Sequence, residues 1–149
     1  MTGFSTTIAF GLVRRLAAVG LDTPSLYLLI AEAAAIPAIQ ADIAAEVQVQ
    51  LGVGLRHLAA TDVRLDCLEN AFARDPDRPV TLITLDRWLP KLATALDRNV
   101  VLLTRSGAIL LLADPRAAER LLTAAPNLRN RLSDVLAIRP DEAFGGTVA

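Results

Sequence analysis

"RSGAILLLADPRAAER", residues 105–120, decides the fold. An apolar run, "AILLLA", follows a Ser-Gly turn signal and stops at an Asp-Pro step. Proline fits the first helical position, where its missing N–H costs nothing, and aspartate fits the cap before it. The stretch therefore reads as strand, cap, helix. Its apolar run does not alternate, so both faces of the sheet should be covered. A strand delivering a helix N-terminus is also a geometry that binds anions. Here Asp114 stands at that position and should take the free N–H groups for itself.

The neighbouring segments extend this α/β reading. "VTLITL" (80–85) reads as a strand, and "DRWLPKLATALDR" (86–98) as a helix that tolerates Pro90 only in its first turn. "NVVLL" (99–103) and "AILLLA" (108–113) flank "TRSG" (104–107) as in a short hairpin, with Gly107 left-handed. Asn127 is placed to cap a last helix running to about Ile138. The expected fold is α/β, with a small mixed sheet of about three strands (80–85, 99–104, 108–113) covered by helices.

The N-terminal half reads as helix-rich. Ser5 is placed to cap a stripe of Ile8, Leu12, Leu16 and Val19 that Gly20 ends. Thr23-Pro24 opens a second helix, reaching about Ile36 and apolar nearly all round. Residues 46–56 read both ways. Ile39, Ile43, Val47, Leu51, Leu55 and Leu58 keep a helical stripe, whereas "VQVQLGVGL" alternates as a strand. With no stop signal before Gly52, one long helix is the reading adopted. Thr61 then caps a helix carrying Leu65, Leu68 and Phe72. The charged "ARDPDRP" stretch is a loop. The chain reads as a single domain, 1–149: a helical region over 1–73, a loop at 74–79, an α/β region over 80–140 and a loose tail, 141–149.

Composition excludes more than it assigns. The 149 residues are 53% hydrophobic and 21% charged, a globular and not a disordered balance. "LYLLIAEAAAIPAI" is interrupted by Glu32 and Pro37, so no membrane span is expected. With no leader pattern either, the expected location is cytoplasmic. Cys67 and His57 are the single cysteine and histidine, which removes disulfides and most metal ligand sets. Cys67 reads as a buried inert thiol and His57 as exposed or structural. Asp62, Asp66 and Glu69 read as a solvated helix face. Net charge is −1, distributed as −2 over 1–50, −1 over 51–97 and +2 over 98–149. That asymmetry is too small to indicate nucleic acid, and no aromatic interleaves the arginines. The arginine and alanine usage suggests a GC-rich bacterial genome.

"AILLLADP" with "APNLRNRLSDVLAI" resembles the stretch of AAA+ ATPases from the sensor strand to the arginine finger. The resemblance places Arg129 or Arg131 near the finger and "TLITLD" near the acidic strand. The sequence departs from that family in three places. No GxxxxGK[ST] phosphate loop exists, Arg87 follows Asp86 where an acid belongs, and Asp114 stands for the polar sensor. No catalytic, cofactor or metal residue is assigned. Arg116, Arg120, Arg129, Arg131 and Trp88 are the candidate partner or anion contacts, read against a solvated face in which Glu119 and Asp134 pair with the arginines. Trp88 is expected to anchor the start of its helix on the sheet. The expected function is a non-catalytic protein-interaction or regulatory adaptor module of a bacterial cytosolic system. It would bind a protein partner or a second copy of itself; its alternative is a degenerate AAA+-like nucleotide-binding domain.

Overall fold

The computed structural model describes residues 3–73, 75–104 and 107–138, with the side chains of 8–73, 75–103 and 107–138. Five strands, β1 (Ser25–Ile30), β2 (Leu55–Ala59), β3 (Val80–Leu85), β4 (Ala108–Ala113) and β5 (Asp134–Ala137), form one sheet. Their order is β2-β3-β4-β1-β5, and every neighbouring pair is parallel. The helices are α1 (Gly3–Val19), α2 (Ile36–Glu46), α3 (Leu68–Ala71), α4 (Pro90–Arg98), α5 (Val100–Thr104), α6 (Pro115–Ala124) and α7 (Pro126–Arg131).

Side-chain alternation along the central strands divides the core in two. Leu26 and Leu28 of β1, Ile83 and Leu85 of β3, and Ile109, Leu111 and Ala113 of β4 pack with buried residues of α4, α6 and α7. Tyr27 and Leu29, Val80 and Leu82, and Ala108, Leu110 and Leu112 pack on the other face with those of α1 and α2. Both faces are apolar because both are covered, which is why the runs do not alternate. The N-terminal helices cover one face and the C-terminal helices the other, as the sequence suggests.

The sheet has five strands, not about three, and the expected membership changes. "SLYLLI" is not the start of a buried helix: it is β1, hydrogen-bonded between β4 and β5. A run buried on both faces gives the same apolar pattern in either conformation. The stretch read as one long helix through residues 46–56 divides. α2 runs on through a single π-type turn, Val47–Leu51, to Gly52, whose φ of +68° ends it. Strand β2 begins three residues later at Leu55, so "VQVQ" lies in the turn despite its alternation.

The expected strand at 99–104 is instead the short helix α5, so no hairpin leads into β4, which pairs in parallel with β1 and β3. Gly107 is nonetheless left-handed, at φ +88°. Ser5 lies inside α1, which already includes Gly3, and Val19 is exposed instead of completing the stripe of Leu12 and Leu16. Residues 60–71 form two 3-10 turns and the short α3, none of them capped by Thr61. The last helix stops at Arg131, and "DVLA" is the edge strand β5. Asn127 does not cap α7. The Asp97 carboxylate of α4 accepts from the N–H groups of Asn127 at 2.7 Å and Leu128 at 3.0 Å. The tail 141–149 and the turn residues Arg105 and Ser106 lie outside the described residues.

No helix among the described residues is long and apolar enough to cross a membrane.

Candidate functional site

The strand order fixes where a site can form. β1 and β4 are neighbours, yet the chain leaves β1 for β2 at one edge and leaves β4 for β5 at the other. Their connections diverge to opposite faces, opening a crevice at the carboxyl ends of the strands, where open parallel sheets bind ligands.

On the β1 side the segment that follows the strand is "AEAAAIP". The Ala31 N–H donates to the Ala113 carbonyl at 3.0 Å, tying the strand ends together. Ala33–Ala35 make a 3-10 turn, and Pro37 lies in the first turn of α2. A phosphate cradle needs a glycine-rich turn with several converging N–H groups, and a lysine. This turn has no glycine and no basic residue. Its proline removes one N–H from the helix start, and exposed Glu32 adds negative charge at the mouth.

On the β4 side Asp114 is a cap, as the sequence indicates. One carboxylate oxygen accepts from the Ala117 N–H at 2.8 Å, and the Asp114 backbone carbonyl accepts from Ala118 at 2.9 Å. The N–H groups that would greet an anion are thus partly spent on the protein's own carboxylate. We expect Asp114→Ala to lower unfolding stability by about 0.5–2 kcal/mol, and Asp114→Asn by less because the amide oxygen still accepts. Urea denaturation midpoints of the two variants check the order.

Candidate side chains cluster one strand further along. After β3 the chain continues Asp86-Arg87-Trp88, and these three face Asp114, Arg116, Ala117 and Arg120 across a cleft of about 280 Å³. Trp88 is half-buried, with some of its ring packed on the α4–α6 core. It also borders a shallower depression lined by Glu119, Arg120, Thr123 and Ala124. Arg116 and Arg120, four residues apart on α6, thus flank the one tryptophan. Arg87 joins them. The sequence reading missed Arg87, although its position directly after a strand and beside Trp88 was a usable signal.

Arg129 and Arg131 are exposed in the last turn of α7 and do not line this cleft. The expected neutralising partners are engaged otherwise or not at all. Asp134 pairs with Arg15 at 2.9 Å, and its carboxyl is held below the usual range by the Val135 N–H and then by Arg15. Glu119 forms no ion pair, and neither do Arg87, Arg116, Arg120, Arg129 or Arg131, among the described residues. The cleft is therefore a half-buried indole among three unpaired guanidinium groups, with Asp86 and Asp114 on its wall.

The remaining candidates stay apart from it. Cys67 is partly exposed, not buried as expected, and its thiol donates to an Asp66 carboxylate oxygen at 3.7 Å. His57 is exposed, with Nε2 3.0 Å from the Thr84 hydroxyl. Asp66 pairs with Arg64 at 3.0 Å, so the acidic stripe does not gather into a site. No group of three or more metal-ligating side chains exists among the described residues.

No family model matches the chain, and no curated protein matches it. Among solved structures it is similar to the crystal structure of the DnaC helicase loader, with a TM-score of 0.53 at 11% sequence identity. The match covers 91% of this chain and 90% of that one, so the two share their fold over most of their length.

Proposed function

We propose that this chain is a non-catalytic protein-interaction module built on an AAA+-like fold whose phosphate site is not encoded. The observation carrying this reading is the β1 turn: "AEAAAIP" follows β1 at the switch point and brings alanines, a proline and an acid there, with no glycine and no lysine. What the chain offers instead is the Trp88 cleft with its unpaired arginines. Tryptophan and arginine are enriched among the residues that carry binding energy at protein interfaces, where a partner completes their desolvation. The likeness to a helicase loader, a protein that works on another protein, agrees with an adaptor role. A second reading, nucleotide binding, is favoured by that same fold and by Asp86 directly after strand β3.

Affinity capture from the native host separates wild type from charge-reversed protein. We expect Arg116→Glu/Arg120→Glu and, independently, Trp88→Ala to deplete the same captured protein by about tenfold or more. Arg116 and Arg120 are exposed, so the double variant should melt like wild type. Capture unchanged in both variants rejects the cleft as the interaction surface.

A further inference from the structure

A second surface lies beside the Trp88 cleft and shares only Arg87 with it. The segment after β2 and the beginning of α4 enclose a groove of about 410 Å³, lined by Ala60, Thr61, Val63, Leu65, Leu89, Pro90 and Leu92, with Arg87 and Lys91. Its polarity is arranged in one way. The walls are apolar, and Leu65 is 42% exposed, an uncovered large aliphatic side chain. The two cations form no ion pair among the described residues, and no carboxylate lines the groove. Of the acids nearby, Asp66 is taken by Arg64, Asp86 lines the neighbouring cleft, and exposed Asp62 lies outside the lining.

We propose that this groove docks an acidic amphipathic segment of a partner protein, its apolar side chains between Leu65 and Leu89 and its carboxylates on Arg87 and Lys91. Charge complementarity identifies the occupant. An apolar trough bordered by two unpaired cations rewards a segment with aliphatic residues on one face and acids beside them, and repels a basic one. The open trough has few polar groups to orient a small molecule, whereas a helix or extended segment needs only a row of apolar contacts and one charged flank. The inference rests on the protein-interaction reading but assigns a different surface and a defined ligand chemistry.

The test uses the full chain, panned against a phage-displayed library of random peptides of about 16 residues. Enriched peptides should place Leu, Ile, Met or Phe at helical spacing with Asp or Glu alongside. A synthetic copy of the strongest should lose at least about tenfold in affinity on Lys91→Glu, and again on Leu65→Ser, by fluorescence anisotropy. It should bind Arg116→Glu/Arg120→Glu as it binds wild type. Both groove substitutions alter exposed side chains, and matching melting curves with the wild type verify their folding; Lys91→Gln and Leu65→Ala serve as milder versions showing smaller losses in the same order. No enrichment, enrichment of basic or uncharged peptides, or binding indifferent to the groove variants overturns the proposal. Peptides lost only on Arg116→Glu/Arg120→Glu also overturn it, while leaving the protein-interaction reading intact.

Discussion

Leu111→Ala should cost about 2–5 kcal/mol of unfolding free energy, in the range measured for truncating buried leucines. Leu111 is fully buried in β4, the middle strand of the sheet, level with Leu28 of β1 and Ile83 of β3. All three point into the core shared with α4, α6 and α7. Removing three carbons there loses transfer free energy and leaves a cavity that neighbours on both sides, fixed by strand pairing, fill poorly. A domain with a total stability of roughly 5–15 kcal/mol feels that loss strongly. Val49→Ala is the internal comparison. Val49 is 79% exposed, and its truncation should stay within about 0.5 kcal/mol. Guanidinium denaturation of both variants checks the contrast, and a Leu111→Ala loss below about 1 kcal/mol contradicts the central placement of β4.

Gly107→Ala should lose about 2–4 kcal/mol, from two sources that act together. The φ of +88° disfavours any L side chain, and an added Cβ would lie 2.9 Å from the Pro79 carbonyl oxygen. That oxygen is backbone and accepts from the Ala108 N–H at 3.3 Å, while the Gly107 carbonyl accepts from Ser25 at 3.2 Å. Neither can retreat without disturbing the entry of β4 between β3 and β1. Gly20, also left-handed but with open space around its Cβ position, should lose less on the same substitution, limited to the backbone cost. Equal losses at the two glycines contradict the close approach at Gly107.

What the sequence disclosed, and what it hid, follows from where each signal is stored. The Asp114–Pro115 cap is local chemistry, written in adjacent residues, and the structure has it; α4 begins at Pro90 itself, not at Asp86 as the sequence reading had it. The covered sheet faces were legible in "VTLITL" and "AILLLA" because unrelieved apolar runs demand burial on both sides. Strand β1 was not legible. "SLYLLI" runs into "AEAAAI", good helix-forming composition, and only its pairing with β4 and β5 makes it extended. β5 was hidden for a related reason: four residues with mostly exposed side chains carry no periodic signal, and long-range pairing with β1 defines them. "NVVLL" misled in the opposite direction, since β-branched residues suggested a strand where Val100–Thr104 form a helical turn.

The site was half visible. Trp88, Arg116 and Arg120 could be named from the sequence, and the cleft brings them together. Arg87, directly after a strand and beside Trp88, carried a local signal that was missed; the groove beyond it carried none, because it depends on α4 and the segment after β2 lying alongside one another. Recognising that "AEAAAIP" occupies the switch point also required the strand order. Once β1 is known to be a strand, the absence of glycine and lysine after it becomes the most informative feature of the chain.

That feature is tested most directly by isothermal titration of Mg-ATP into the full chain. A crevice with no glycine cradle, no lysine, a proline in the first helical turn and Glu32 at its mouth should bind no tighter than about 1 mM, giving no measurable heat at micromolar protein. Saturable binding at micromolar Mg-ATP contradicts the account and makes this chain a nucleotide-binding relative of its fold.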